Sequence, residues 1–467
     1  MSKNVVFVSI FDLTHLFHEI AGHLSGRGHH IFWMTTSRTW TNWLLERGVA
    51  RADILSLIYG PENFMSAAEK DELAEQIVKC ESTADLTVNQ CLLMDRFVGR
   101  VTADRLNEYV YLYYRDIKRF LTEKQAHLVF AEPTNLNELM TYLVCRELGI
   151  RFLAPWDMRY PPGRVAFTEG YMQETLAGPG TSPIPRSGRE LLAEFREAQV
   201  KPAYFERLNR QPVATLPGLW QSARRRVRRR ELTSQPNLTH HGVGSRAALM
   251  VRRLVNRFYL RRLARYDALD SLPGKIAYFG LHVQPESSID VRGSYFSDQI
   301  KLLKDIRRAL PFDVTLVVKE HPNFLGIRGK GFMDRVRAIP NTRLVRHDIP
   351  AHDLLARAAI VFTVSGTVAY EAGMLGVPAI CFSPVFFDRL SSVRCCREIT
   401  CLRALVDEAL KAGGRDYDAD CRVMEELMRY SYPGRWIDPF NDPSVLEPHN
   451  LDLLKQAFAE IVEHDGR

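Results

Sequence analysis

The sequence predicts an α/β protein built from two Rossmann-type units with a basic, irregular segment between them. Two observations carry this reading. Strand-like and helix-like runs alternate in the first third of the chain and again after Pro273, each run ending at Gly- or Pro-marked turns. Between about Pro161 and Pro273 that alternation breaks down. The chain has 467 residues, 46% hydrophobic and 25% charged, which excludes a collagen-like or largely disordered polypeptide. At roughly 150 residues per domain the length suits three domains, or two large ones.

Val5 to Ile10 reads as a buried strand, and Leu13 to Leu24 has helical period and is closed by Gly26-Arg27-Gly28. Ile31 to Thr35 is a second strand. A helix is expected around Tyr109 to Thr122, then a strand at His127–Phe130, a helix over Leu136–Leu148 and a strand at Arg151–Ala154. Residues 36 to about 108 are expected to add helix. Gly178 to Gly188, rich in Pro, Gly and Ser, reads as a loop. The second alternation runs through strands at Lys275–Leu281, Val314–Val318, Thr342–Val345, Ile360–Val364 and Pro378–Phe382. Helices are expected at Phe296–Leu310, Ala351–Arg357 and Thr367–Leu375, the last closed by Gly376. Such alternation implies parallel sheets covered by helices. Ligands bind beyond the carboxyl ends of such strands.

Several function classes drop out early. The eight cysteines lack CxxC pairs and zinc-like His spacing, so they are expected to be reduced thiols. His18 and His23 are five apart, whereas a helical zinc pair needs i and i+4. No metal site is expected. The start of the chain lacks the apolar stretch of a signal peptide, and no window reaches about 18 uninterrupted apolar residues. A cytoplasmic protein is expected.

Three segments of the second alternation suggest chemistry, each at a strand's carboxyl end. The run LHVQPESS supplies Gln284, Glu286, Ser287 and Ser288 in a polar loop. In VVKEHP, Lys319 and His321 are suited to neutralising a phosphate leaving group, one by charge and the other by hydrogen bonding or proton donation. In VSGTVAYEA, a buried strand turns through Ser365, Gly366 and Thr367 into a helix whose first amides form a phosphate cradle. Glu371, one turn in, is placed to reach a ribose hydroxyl.

The order LHVQPESS, YFSDQIKLLKDIRRALP, VVKEHP, VSGTVAYEAGMLGVPAICF resembles the capsule polysaccharide biosynthesis family, which includes bacterial β-Kdo transferases. The resemblance covers about Lys275 to Ser383, and the first unit only in general layout. It implies a GT-B glycosyltransferase with an interdomain cleft, using a nucleotide-activated sugar, with CMP-Kdo as the best-known donor. His321 would meet the donor phosphate, and Ser365, Gly366 and Thr367 would cradle it. Gln284 and Glu286 match a loop near the donor, where the best-known Kdo transferases carry a somewhat different Gln/Asp-Ser pattern. No resident cofactor or metal is implied.

On this reading residues 1–160 form an acceptor-side unit and 161–272 a basic insertion. Residues 273–400 form the nucleotide-sugar unit and 401–467 a set of C-terminal helices. The acceptor is expected to be a glycolipid or a surface polysaccharide. Two carboxylates of the first unit follow strands, Glu132 in FAEPTN and Asp157 in APWDMR, and either would serve as nucleophile or base. Glu132 is preferred, because Asp157 has Arg159 and Arg164 close by in sequence.

Ala223–Arg230 holds six arginines. Val251, Leu254, Val255 and Phe258 follow at helical spacing among Arg252, Arg253, Arg257 and Arg261. The Arg224–Arg265 region therefore suits an anionic membrane surface. It lacks the stacking aromatics of a nucleic-acid binder. The competing functions are a nucleotide-sugar 2-epimerase or polyol-phosphate transferase of the same fold, and a non-catalytic nucleotide-sugar-binding component of a capsule assembly complex.

Overall fold

The computed structural model describes residues 2–59, 63, 65–95, 103–198, 243–260, 264–322, 326–411 and 415–464. Their strands, in chain order, are β1 (Asn4–Ser9), β2 (His30–Thr35), β3 (Ile54–Ser56), β4 (Leu128–Phe130), β5 (Arg151–Asp157), β6 (Arg164–Glu169) and β7 (Leu176–Ala177). Then come β8 (Ile276–Gly280), β9 (Thr315–Lys319), β10 (Thr342–Val345), β11 (Ala358–Thr363), β12 (Ala379–Cys381), β13 (Val393–Cys395) and β14 (Ser431–Pro433). Described residues up to Pro183 and from Met428 onward form one compact unit, and those from Ile184 to Leu427 form the other.

The first unit's sheet runs β3-β2-β1-β4-β5 in parallel; β6 and β14 extend it antiparallel, and β7 pairs with β6. Its core is aromatic. Phe130 and Phe167 each lie 4.8 Å from Phe458, on the helix Pro448–Glu463, and Trp436 lies 5.5 Å from the same ring. Such pairs add about 0.5–1.5 kcal/mol each beyond the burial of their surface.

The second unit's sheet is wholly parallel, in the order β10-β9-β8-β11-β12-β13. Numbered from its own first strand this is 3-2-1-4-5-6, the doubly wound Rossmann order, whose ligand crevice opens where the order reverses. Here that point falls between β8 and β11. The two Rossmann-type units expected from the sequence, the pair from which a GT-B architecture is made, are present.

The linear division expected from the sequence needs correction at two places. Arg164–Glu169 and Leu176–Ala177 are strands of the first sheet, so that unit continues beyond residue 160. The C-terminal segment is shared. The helix Leu402–Lys411 packs on the second core through Leu402 and Val406, whereas Phe458, Ile461 and Val462 complete the first. Most of the arginine-rich stretch, including Ala223–Arg230, lies outside the described residues. The helix Val243–Phe258 follows it.

Candidate functional site

At the switch point of the second sheet a residue the sequence reading passed over joins the two inner strands. His282 follows β8 and is buried. Its Nε2 accepts the Val364 amide at 2.9 Å and lies 2.9 Å from the Thr363 hydroxyl at the end of β11. Thr363 Oγ1 in turn accepts the Gly366 amide at 3.0 Å. Since Nε2 is an acceptor, the proton of the neutral ring sits on Nδ1. Burial pushes the His282 pKa down to about 3, with His321, Arg328 and Arg292 adding positive charge nearby. The ring therefore works as a neutral clasp between two strand ends.

This clasp explains Gly366. A Cβ there would sit 2.5 Å from Thr363 Oγ1 and 3.2 Å from the His282 ring. The close approach that this glycine permits is therefore internal to the turn. Ser365 is buried and its hydroxyl donates to the Ser288 carbonyl, tying the turn to the polar loop after β8. Thr367 precedes the helix Val368–Leu375 without a side-chain cap. Ala369 N bonds to Gly366 O and Glu371 N to Thr367 O. Among the described residues the Thr367 and Val368 amides take part in no such turn bond, which leaves them at the helix start where an anion is favoured.

The loop carrying the first segment is held by two further residues missed in the sequence. Asp290 accepts the Gln284 side-chain amide at 2.7 Å and the Glu286 backbone amide at 2.9 Å. Gln299 donates to Gln284 Oε1 at 3.1 Å and accepts the His282 amide at 2.8 Å. Ser288 donates to Glu286 at 2.6 Å, and Ser287 opens the short helix Ser287–Asp290. Gln284 and Glu286 thus shape the loop through their own hydrogen bonds.

At the end of β9, Lys319 is buried and donates to the Ile349 carbonyl at 2.9 Å. Burial lowers its pKa to about 8, against the pull of Glu371, Asp348 and Asp353. The sequence suggested an ammonium offered to a phosphate; the structure gives that ammonium a main-chain partner, so its charge acts on its surroundings from within the fold. Glu371, partly buried, is pushed up to about 7 by desolvation and held back by Lys319. His321 has its pKa lowered to about 4 by burial and by the positive charges of Lys319 and Arg328. A neutral imidazole in that setting is a hydrogen-bond donor that an incoming anion converts toward imidazolium. Arg328, buried and unmarked by any motif, bonds Glu320 at 2.7 Å and donates to the His282 carbonyl. The three segments therefore meet: His282 bonds the β11 end directly, and Arg328 links β8 to β9.

In the first unit, Glu132 follows β4 and accepts the Trp436 indole N–H at 2.7 Å. The N-cap of the next helix is Asn135, three residues on, and its capping acid is the buried Glu138, whose Oε2 accepts the Asn135 amide at 2.7 Å. Glu132 is thus separate from the helix terminus. Burial pushes Glu138 up to about 8 despite its backbone hydrogen bonds. Asp157, at the end of the neighbouring strand, faces Arg159 at 3.5 Å. Its pKa is raised by desolvation, opposed by Arg159 and Arg435. Arg164 bonds Ser431 instead.

His15 and His18 pack edge-on against Trp43 at 4.8 and 5.1 Å. Among the described residues no group of three His, Cys, Asp or Glu side chains could hold a metal, and no helix is long and apolar enough to cross a membrane. No disulfide joins the cysteines.

Residues 229–390 match the family described as "Capsule polysaccharide biosynthesis protein", which bears out the resemblance over the segment carrying its motifs. No curated relative matches the chain. Among solved structures, the β-Kdo 2,4 transferase KpsC of Thermosulfurimonas dismutans is 16% identical with a TM-score of 0.29, over 68% of this chain and 86% of that one. A UDP-GlcNAc 2-epimerase from Methanocaldococcus jannaschii is 12% identical with a TM-score of 0.25, over 91% and 99%. A glycosyltransferase from Rickettsia africae is 10% identical with a TM-score of 0.26, over 99% and 100%.

Proposed function

We propose that the protein is a glycosyltransferase of capsule or cell-envelope polysaccharide biosynthesis. On this reading it moves a sugar from a nucleotide-activated donor, CMP-Kdo or a similar compound, to a lipid-linked or polysaccharide acceptor. The observation that carries the reading is the convergence at one switch point of a helix start whose Thr367 and Val368 amides have no partner among the described residues, a neutral His321 and the charges of Lys319 and Arg328. Donor phosphate would rest on the Thr367 and Val368 amides. His321 would hydrogen-bond it and gain positive character as leaving-group charge develops. Glu132, or Asp157 in its place, would supply the nucleophile or base, with no metal in the step. The enzyme would work on the cytoplasmic side, attached peripherally to the anionic membrane face through the basic Arg224–Arg265 region.

The test is transfer to a glycolipid acceptor by wild type and His321→Ala. Loss of one such group costs about 10²–10³ in rate, with an unchanged melting curve expected. Near-normal transfer by a folded His321→Ala removes His321 from the chemistry. Conversion of the donor without any acceptor identifies an epimerase instead.

A further inference from the structure

The helix Val243–Phe258 presents to water a row of side chains that other helices of this unit bury. Val251, Leu254, Val255 and Phe258 are 59, 53, 60 and 60% exposed. Their i, i+3, i+4, i+7 spacing lays them along a single stripe. Arg252 and Arg257, both exposed, flank it on either side. Residues 243–260 contain no Asp or Glu. The opposite face is anchored: Asn256 Nδ2 donates to the Gly326 carbonyl at 3.1 Å, and Leu260 is buried in the core of the second unit. A contiguous exposed apolar stripe is a candidate docking surface. Its arginine rims and its lack of acidic residues fit the interface of a bilayer containing anionic lipid.

The anchored face leads inward to the candidate site. A Cβ at Gly326, whose φ is +90°, would meet the Arg257 stem and lie 2.7 Å from the Arg253 carbonyl oxygen, so this loop packs directly on the helix. Two residues on, Arg328 bonds Glu320 and the His282 carbonyl, and His282 bonds the Val364 amide. The contacts run unbroken from the helix to the turn that carries the phosphate cradle.

We propose that this helix seats the second unit on an anionic bilayer, and that seating steadies the cradle through Gly326, Arg328 and His282. The proposal rests on the membrane-attached transferase reading only for why the protein meets lipid. Its test needs no donor and no turnover, so its failure and the failure of that reading are distinguishable.

The full chain is floated with vesicles of phosphatidylcholine, with and without phosphatidylglycerol. Hydrogen exchange is followed at the Val364 and Gly366 amides. Wild type should float only with phosphatidylglycerol present, and exchange at both amides should slow about three-fold or more on binding. Leu254→Ser with Phe258→Ser should weaken flotation by about tenfold or more, with unchanged circular dichroism, because both residues are exposed. Arg252→Glu, at the exposed rim, should also weaken flotation. Asn256→Ala should float but lose the slowing. Equal flotation on phosphatidylcholine alone overturns the lipid assignment. So does a wild-type dimer that Leu254→Ser with Phe258→Ser dissociates, with no flotation, since a second copy then covers the stripe. Unchanged exchange in vesicle-bound wild type overturns the coupling.

Discussion

His282 shows what one buried side chain can decide. Its ring accepts the Val364 amide, so His282→Ala leaves a buried N–H without a partner, a loss of about 1–3 kcal/mol. The pH dependence has a definite sign. A histidine held neutral, with its folded pKa at about 3 against 6.5 when unfolded, contributes stability that is complete above pH 6.5. That contribution is lost as pH falls, by about 1.4 kcal/mol per pH unit. Urea unfolding should therefore show the gap between wild type and His282→Ala narrowing from about pH 6 to about pH 4. A constant gap would mean the ring is not the neutral acceptor. Glu132 can be tested at the same scale. Glu132→Gln keeps an oxygen for the Trp436 indole, so the melting temperature should hold. Turnover should collapse while nucleotide affinity stays within a few-fold, the pattern of a group that acts in the transition state. Retained turnover would move the search to Asp157. The motifs marked His321 and the cradle, because phosphate chemistry uses recognisable residue types at strand ends. They did not mark Arg328 or Trp436, which reach their partners only through tertiary folding, from eight positions after Glu320 and from the far end of the chain.

At the scale of elements, the segments that fold on their own pattern were legible. The helix Leu136–Leu148 and the strand Thr342–Val345 match their sequence assignments residue for residue, since each has a clear period and a clear stop. The short strands β3, β7 and β14 carry too little alternation to read, whereas β4 and β12, also of three residues, were legible as fully buried apolar runs between turns. β6 was hidden because it follows the loop Arg159–Gly163 and pairs antiparallel, outside the βαβ rhythm. Gly366→Ala should cost about 1–3 kcal/mol by crowding Thr363 Oγ1 and the His282 ring. Thr363→Ala removes that hydroxyl, so the double variant should lose less than the sum of the singles. Strict additivity, measured by chemical unfolding, would show that the hydroxyl does not set the size of residue 366.

Over the whole molecule, the sequence conveyed two Rossmann-type units but placed their boundaries linearly, and the chain does not respect that. It leaves the first sheet after β7, builds all of the second, and returns with β14 and the helix Pro448–Glu463 to close the first core. Hydrophobic period alone cannot say which core a terminal helix completes. We infer that the switch point of the second unit binds an activated sugar through the nucleotide phosphate. The most direct measurement is titration calorimetry of the full chain with CMP, UDP, GDP and CDP, repeated on His321→Ala and Glu132→Gln. At least one nucleotide should bind wild type and Glu132→Gln alike, and bind His321→Ala about tenfold or more weakly, as loss of a charge-assisted hydrogen bond requires. Binding of no nucleotide, or equal binding to all three proteins, would contradict it.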